Sequence, residues 1–180
     1  MKKPLVSIIV RTRNEYFWIG KCLSEIYNQN YKNFEVILVD NKSTDNTVKI
    51  VKKNFPTVKI IKCNSRIFFP GRSLNIGIKA SKGSLVAMIS GHCIPGNKNW
   101  ISNLVKNFKN KKVAGVYGRQ EPLDISEPSD VRDLTYLFGL DKKIQTKDPF
   151  FHNANSMIRK NIWSIIHFPS RLGDPWSNNG

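Results

Sequence analysis

The chain has 180 residues, of which 40% are hydrophobic and 23% are charged, a composition typical of one globular domain rather than of a disordered chain. It contains no run of about 18 consecutive apolar residues, so the sequence predicts no transmembrane helix. The formal net charge of +16 leaves three classes of anionic partner open: nucleic acid, an anionic membrane surface and phosphate-bearing ligands.

The basic residues are spread among asparagines and isoleucines, and no basic run is interleaved with aromatic residues. Because no helix-turn-helix or RNA-binding signature occurs either, we expect no nucleic-acid partner. Cys22, Cys63 and Cys93 form no CxxC pair, which favours a reduced, cytoplasmic protein without a zinc site. Peripheral contact with the inner face of an anionic membrane is kept as an open alternative.

Short apolar runs alternate with amphipathic stretches along the first two thirds of the chain. The predicted strands cover residues 5–10, 34–39, 58–61, 85–89 and 113–117, and helices are predicted after the first four of them. Strands with apolar residues on both faces suit a parallel sheet that is covered by helices on both sides. The alternation therefore predicts a doubly wound α/β fold with a mostly parallel sheet, in a single domain whose ligand-binding part spans residues 1–120.

Polar residues follow three of these strands. They are Arg11, Thr12, Arg13 and Asn14 after the first strand, Asp40 and Asn41 after the second, and Ser90, Gly91 and His92 after the fourth. Open α/β sheets bind ligands at the carboxyl ends of their strands, so we expect Asp40 and His92 at the same edge and within about 15 Å of each other. A carboxylate and an amide beside a helix start can bind hydroxyl groups and the edge of a base.

Residues 121–180 differ in character from the first part. Two prolines and four acidic residues between positions 121 and 130 predict an exposed loop. An amphipathic stretch follows over residues 131–140, and a strand is expected around residues 156–158. The last residues, 170–180, are polar and rich in glycine, asparagine and proline, and they complete no predicted element.

Four segments carry a resemblance to a known family: SIIVRTRNE, NQNYKNFEVILVDNKSTDNT, PGRSLNIGIKASKG and LVAMISGHCIPGNKNW, in this order. Together they resemble the nucleotide-sugar half of family 2 inverting glycosyltransferases, which have the GT-A fold. The likeness covers about residues 4–120, with a weaker echo in residues 151–163. It implies a bacterial-type hexosyltransferase of cell-surface polysaccharide synthesis, which moves a sugar from a nucleotide-sugar donor to a glycan or lipid-linked acceptor.

The resemblance also implies which residues contact the donor. It assigns the polar loop after the first strand to the base, Asp40 and Asn41 to the base and ribose, and Ser90 and Gly91 to the donor site. At the start of the third helix, Arg72 and Asn75 correspond to residues near the phosphates. Arginine suits that position because it can bind a phosphate through two parallel hydrogen bonds.

The metal motif departs from the family pattern. Where the family usually has Asp-x-Asp to hold a divalent cation, Mn²⁺ or Mg²⁺, this chain has Ser90-Gly91-His92. Magnesium prefers carboxylates, whereas an imidazole suits manganese better. Two alternatives follow: His92 is a single protein ligand to a diphosphate-bound Mn²⁺, or basic groups such as Arg72 replace the metal.

The catalytic base is the second departure. In the family, this base deprotonates the acceptor hydroxyl. It lies at a helix start after the stretch that FHNANSMIRKNIW resembles. Asp174 is the candidate here, but the acid that normally precedes the base is absent. We expect residues 121–180 to be a partial, truncated acceptor-side region. The alternative to an active transferase is a catalytically impaired nucleotide-sugar-binding remnant. A dinucleotide-dependent dehydrogenase is disfavoured, because no G-x-G-x-x-G follows the first strand.

Overall fold

The computed structural model describes residues 3–64, 69–147, 150–170 and 177–178. Its strands are β1 (Val6–Thr12), β2 (Phe34–Asp40), β3 (Lys59–Lys62), β4 (Leu85–Ser90), β5 (Gly115–Tyr117), β6 (Asn155–Arg159), β7 (Ile166–His167) and β8 (Ser177–Asn178). Its helices are α1 (Ile19–Tyr27), α2 (Thr47–Asn54), α3 (Pro70–Lys79), α4 (Trp100–Val105), α5 (Pro128–Leu137) and α6 (Lys160–Trp163), and a 3₁₀ turn (Lys106–Lys109) extends α4.

Six strands form one sheet in the order β3-β2-β1-β4-β6-β5. Strands β3, β2, β1 and β4 are parallel, and β6 runs antiparallel to both β4 and β5. The small strands β7 and β8 pair separately. The predicted α/β fold with a mostly parallel sheet is confirmed.

The sheet separates two apolar cores. On one face, α1 buries Ile19, Cys22, Leu23 and Ile26 completely, together with alternate residues of β1 and β2 such as Ile8 and Leu38. On the other face, α3 buries Leu74 and Ile78 against the remaining residues of the same strands, including Ile9 and Val39. Both faces of β1 are therefore dry, which explains why its sequence is a continuous apolar run rather than an alternating one.

Gly77 lets α3 approach the sheet closely. A Cβ atom at this position would lie 2.5 Å from Cγ2 of Ile9 and 3.0 Å from Cγ2 of Val39. No larger side chain fits that space unless the helix moves. The tight contact fixes the second half of α3 against β1 and β2.

Several element boundaries differ from the sequence prediction. Helix α2 begins only at Thr47, seven residues after the end of β2, and has Asn46 as its N-cap. The side chain of Asp45 accepts hydrogen bonds from the backbone amides of Thr47 (2.9 Å) and Tyr16 (3.1 Å), which joins the start of α2 to the loop after β1. The expected fifth strand is reduced to the three residues of β5.

Strand β6 confirms the strand expected around residues 156–158, and it lies between β4 and β5. Helix α5 overlaps the amphipathic stretch of residues 131–140 but buries none of its residues. Since β6 belongs to the second region and pairs with the first, the two predicted regions share one sheet. None of the described helices is long and apolar enough to cross a membrane.

Candidate functional site

The polar residues that follow β1, β2 and β4 lie together at the carboxyl edge of the sheet. Thr12 pairs in register with Asp40, and Arg11 pairs with Ser90. Backbone hydrogen bonds continue the pairing past the strand ends: the amide of Asn41 donates to the carbonyl of Thr12, and the amide of Gly91 donates to that of Arg11, each at 2.9 Å. Asp40 and His92 are therefore at the same edge, on either side of β1.

Asp40 organises the turn after β2. Its side chain is buried, with the whole residue 4% exposed, and Oδ1 accepts a 2.5 Å hydrogen bond from Oγ of Ser43 while Oδ2 accepts one from the backbone amide of Ser43 at 3.2 Å. Lys42, within this turn, has a φ of 57°, which an L-residue adopts at some cost in free energy. The carboxylate thus holds a strained turn while its remaining lone pairs stay available to a ligand.

Asn14 joins the loop after β1 to this turn. Its backbone amide donates to Oγ of Ser43 at 2.9 Å, and its Oδ1 accepts from the backbone amide of Thr44 at 2.8 Å. Its φ of 56° is a conformation that asparagine tolerates better than most residues. Arg13, next to it, is exposed. Asn14 therefore holds the loop after β1 and the turn after β2 in a fixed relative position.

Four buried polar atoms at this edge make no hydrogen bond within the described part of the chain. They are Nε of Arg11, Oγ1 of Thr12, and both Nδ2 and Oδ1 of Asn41. Burial lowers the pKa of Arg11, although the neighbouring Cys93 and Glu15 act in the opposite direction. Buried polar groups are nearly always paired, so a cluster of four unsatisfied atoms marks a place where a polar ligand or water can bind.

His92 makes a close contact with Glu15, a residue that the sequence did not single out. Nδ1 of His92 lies 2.7 Å from Oε1 of Glu15, whose side chain is 18% exposed against 56% for the imidazole. Hydrogen bonding to the Cys93 side chain, and then to Glu15, raises the pKa of His92 to about 10. The imidazole is therefore protonated at neutral pH and forms an ion pair. Glu15 directly follows Asn14 in the loop after β1, and this position was the signal that could have identified it from the sequence.

Gly91 packs closely against this pair. A Cβ atom at Gly91 would lie 3.1 Å from Oγ1 of Thr12 and 3.2 Å from Cγ of Glu15. The amide of Glu15 is itself fixed by Oγ1 of Thr47, at 2.8 Å. The end of β1, the start of α2 and the loop after β4 therefore all pack around Glu15.

The donor atoms at this edge do not form a metal site by themselves. Among the described residues, no group of three or more His, Cys, Asp or Glu side chains is placed to hold a metal ion. His92 and Glu15 are only a pair, and Nδ1 of the histidine is directed at the carboxylate. A divalent cation would need its other ligands from elsewhere.

The two residues expected near the phosphates on α3 differ in their surroundings. Arg72 is exposed in the first turn of the helix. The amide group of Asn75 makes four hydrogen bonds within the protein. Nδ2 donates to the carbonyl of Phe168 (2.8 Å) and to Oγ of Ser170 (3.1 Å). Oδ1 accepts from Nε1 of Trp163 (2.8 Å) and from the amide of Phe168 (3.2 Å). In this conformation Asn75 ties the segment after α6 to α3 and has no amide hydrogen left for a phosphate.

His152 is a second titratable group near this edge that the sequence did not single out. Burial, followed by the positive charge of Arg11, lowers the pKa of His152, so the imidazole is neutral at neutral pH. Nε2 of Gln120 lies 2.7 Å from its Nδ1. Asp174, the candidate base, lies outside the described residues.

Comparison with known protein families finds a match over most of the chain. The family model described as Glycosyl transferase family 2 matches residues 7–165. A curated relative from Methanococcus voltae is 28% identical over 166 residues, which cover 83% of this chain and 50% of that protein. Its name is dolichyl N-acetyl-alpha-D-glucosaminyl phosphate 3-beta-D-2,3-diacetamido-2,3-dideoxy-beta-D-glucuronosyltransferase.

Solved structures show the same fold. The mannosyltransferase PcManGT from Pyrobaculum calidifontis, in complex with GDP-Man and Mn²⁺, superposes with a TM-score of 0.73 at 22% identity, covering 96% of this chain and 50% of that one. The Staphylococcus aureus protein TarS, residues 1–349 with UDP-GlcNAc, gives 0.63 at 23% identity, covering 91% and 48%. The chain spans about half the length of each of these three proteins.

Proposed function

Because this chain belongs to glycosyl transferase family 2, we propose that it transfers a hexosyl group, with inversion, from a nucleotide-sugar donor to a glycan or lipid-linked acceptor. The observation that carries the proposal is the cluster of unsatisfied buried polar atoms of Arg11, Thr12 and Asn41 beside the carboxylate of Asp40. These groups supply both donors and acceptors in a small space at the ligand-binding edge of the sheet. The names of the relatives support the same donor class, since the two solved structures contain GDP-Man and UDP-GlcNAc.

The nucleoside is assigned to Asp40, Asn41 and the loop after β1. Two contacts from Ser43 occupy part of the Asp40 carboxylate, which leaves lone pairs for a ribose hydroxyl or a base N–H. The amide of Asn41 offers one donor group and one acceptor. Because Ser43 and Asn14 already fix the turn, little conformational entropy is lost when the nucleoside binds.

The diphosphate is assigned to the cationic side chains of His92 and Arg72. Glu15 holds the His92 ring by Nδ1, so the ring presents its other nitrogen, Nε2, to a ligand. Arg72 in the first turn of α3 adds a second positive charge, and its guanidinium can bind two phosphate oxygens. The described residues do not form a metal site by themselves, so the diphosphate is assigned to cationic side chains alone. Whether donor binding requires Mn²⁺ or Mg²⁺ is a prediction to be measured.

The acceptor hydroxyl requires a base for attack at the anomeric carbon, with departure of the nucleoside diphosphate. Asp174 remains the proposed base. General-base catalysis is typically worth about 10²–10⁴-fold in rate, so Asp174→Asn should lower transfer by that factor and leave donor affinity unchanged. His152→Gln is the comparison, because burial and then the charge of Arg11 lower the pKa of His152, which leaves a neutral imidazole that can accept a proton. A loss confined to His152→Gln would move the role of base to the histidine.

Donor binding tests the proposal most directly. Nucleoside diphosphates and their sugars, with and without Mn²⁺, should raise the melting temperature of the chain, because they bind only the native state. In titration calorimetry, Asp40→Ala and Arg72→Ala should each weaken binding by about 1–3 kcal/mol, the scale of a hydrogen bond to a charged group. Asp130→Ala and Arg132→Ala on α5 are controls of the same residue types on a helix without buried residues.

Three results decide between the alternatives. If no nucleoside diphosphate or sugar nucleotide shifts the melting temperature, the proposed donor site is wrong. If Asp40→Ala and Arg72→Ala bind like the unaltered chain, the donor class can stand but the residue assignment fails. If the donor binds normally and no acceptor is glycosylated, the protein is a nucleotide-sugar-binding protein rather than a transferase.

A further inference from the structure

A cationic groove lies at the opposite edge of the sheet from the candidate donor site. Its volume is about 680 Å³, and it runs along the start of β1 and β4 and the end of β6. Leu85, the first residue of β4, pairs with Arg159, the last residue of β6, so both mark the amino edge of the parallel strands. A second cleft of about 390 Å³ shares its wall at Lys3 and Tyr31 and extends it toward Asn99.

Five positive side chains line the groove, and no acidic side chain among the described residues does. The five are Lys3, Lys106, Lys109, Arg159 and Lys160. The ion pairs found in the described part of the chain join His92 to Glu15, Arg119 to Glu121 and Arg132 to Asp133, so they involve none of these five cations. The positive charge of the groove is therefore not neutralised by a carboxylate within hydrogen-bonding distance.

Contacts within the protein fix several of these cations in place. Arg159 donates from Nε to the carbonyl of Val113 (2.8 Å) and from Nη2 to the carbonyl of Phe108 (2.9 Å), and its guanidinium lies 5.1 Å from the centre of the Phe108 ring. Nζ of Lys160 donates to the carbonyl of Ser81 at 2.5 Å. Carbonyl groups orient the cations but do not cancel their charge, so the groove presents a preorganised positive field.

The floor between these charges is apolar. It is formed by Pro4, Tyr31, Leu85, Val105 and Phe108, of which Tyr31, Leu85 and Phe108 are buried. A ring of ammonium groups around an apolar floor suits a ligand that has both a phosphate and a hydrocarbon part. Four of the five cations are lysines, which act as separate point charges rather than as a fork that binds one phosphate.

We propose that this groove docks the protein on an anionic phospholipid surface. Each Lys or Arg near such a surface contributes about 1 kcal/mol of attraction, and the partly exposed Pro4 and Val105 can contact acyl chains beside the headgroups. Nucleic acid is disfavoured because Tyr31 and Phe108 are buried and cannot stack on bases. This inference is independent of the proposed transferase activity, since it concerns the other edge of the sheet.

The arrangement has a consequence for the acceptor. Strand β1 has seven residues, and at about 3.3 Å per residue the two edges of the sheet are roughly 20 Å apart. With the groove on the lipid, the donor site opens away from the membrane. A lipid-linked acceptor would then have to present its hydroxyl group at about that distance from the surface.

Vesicle sedimentation of the full chain tests the docking. We expect binding to phosphatidylcholine vesicles that contain phosphatidylglycerol, no binding to pure phosphatidylcholine, and weaker binding as the salt concentration rises. Replacing both Lys106 and Lys109 by glutamine should weaken binding about 30-fold, from about 1 kcal/mol per lysine. The matched control is Lys142→Gln with Lys143→Gln, two exposed lysines outside the groove that carry the same change in net charge.

A second measurement uses the unaltered chain, so that it does not depend on the variants folding. Anionic vesicles should slow hydrogen exchange at residues 105–109 and 159–164 and leave residues 121–147 unchanged. Equal loss of binding in the groove and control variants, protection confined to residues 121–147, or no binding to anionic vesicles would each overturn the proposal. So would competition by inorganic phosphate at equal strength, which would identify a site for free phosphate, or by double-stranded DNA.

Discussion

The carboxylate of Glu15 and the imidazole of His92 show how one residue pair joins the loops after β1 and β4. The hydrogen-bonding distance is 2.7 Å, and the acid is much less exposed than the base. Because the two residues are 77 positions apart, only the folded sheet brings them together. The pair keeps positive charge at the edge of the sheet where the diphosphate is proposed to bind.

The stability contributed by this pair should depend on pH with a definite sign. The Cys93 side chain and then Glu15 raise the folded-state pKa of His92 from 6.5 to about 10. The part contributed by Glu15 is therefore complete below pH 6.5 and is lost as the pH rises through about 10. Glu15→Gln should therefore lower the free energy of unfolding at a pH below 6.5, by about 0.5–1 kcal/mol because the imidazole is more than half exposed. The deficit should shrink above pH 10, as measured by urea unfolding at both values.

Glu25→Gln serves as the control, since Glu25 lies on α1 and its carboxylate contacts only an asparagine among the contacts found, Asn28 at 3.5 Å. A deficit for Glu15→Gln that grows as the pH rises would contradict the ion pair. A deficit that is constant with pH would show that Glu15 acts through packing alone.

Asn75 is proposed to lie near the phosphates, but its observed hydrogen bonds indicate a structural role. Its amide makes four hydrogen bonds with Trp163, Phe168 and Ser170. Asn75→Ala should destabilise the protein by about 2–4 kcal/mol, because partly buried partner groups would lose their hydrogen bonds. Chemical unfolding measures this loss, and calorimetry on the still-folded variant measures nucleoside diphosphate affinity.

The two measurements separate a structural role from a direct one. Ser73→Ala is a suitable control on the same helix, since the hydroxyl of Ser73 is buried and makes no hydrogen bond in the described residues. If Asn75→Ala leaves stability intact and weakens nucleotide binding, then Asn75 contacts the phosphates as the resemblance implies, and its amide must rotate on binding.

At the scale of an element, the position of α3 is set by Gly77. Gly→Ala in a helix interior normally stabilises by about 1 kcal/mol, because alanine has the higher helix propensity. Here the added methyl group would lie 2.5 Å from Ile9, and overpacking of this kind typically costs about 1–3 kcal/mol. The packing effect is larger, so we expect Gly77→Ala to lower the free energy of unfolding by about 1 kcal/mol.

Gly20→Ala provides the matched control for that prediction. Gly20 lies on α1, where the nearest atom to an added Cβ is Cγ2 of Ile50 at 3.9 Å, an ordinary contact distance. That variant should be as stable as the unaltered chain or more stable. If both glycine variants gain stability in thermal unfolding, the close approach of α3 to β1 is wrong.

For the whole molecule, the sheet divides the interior into two cores, which we expect to unfold together as one cooperative domain. Ile26 on α1 and Ile78 on α3 are both fully buried, and they belong to different cores on opposite faces. Ile→Val at either site should cost about 0.5–1.5 kcal/mol. Because the sheet separates the two side chains, the double variant should lose the sum of the single losses, within about 0.5 kcal/mol.

Equilibrium unfolding in urea, followed by two spectroscopic probes, measures these losses. Ile8→Val with Ile26→Val is the contrasting pair, since both residues belong to the same core and can depart from additivity. Two separate transitions for the variants on opposite faces would contradict a single cooperative domain.

The α/β architecture, the mostly parallel sheet and the edge at which Asp40 lies with the residues after β1 and β4 could all be predicted from the sequence. Those features depend on local information: the period and length of apolar runs, and polar residues where each run stops. The position of β6 was also predictable as a strand, but its place between β4 and β5 was not, because strand order depends on contacts between distant segments.

The partners of individual side chains became known only from the folded structure. The pairing of Glu15 with His92, the use of Asn75 to hold Phe168, and the assembly of the cationic groove from Lys3, Lys106 and Arg159 each join residues that lie far apart in the chain. The physical reason is that a hydrogen bond or a shared electrostatic field depends on distances of a few ångströms in space. A single sequence specifies such distances only through the complete packing of the fold.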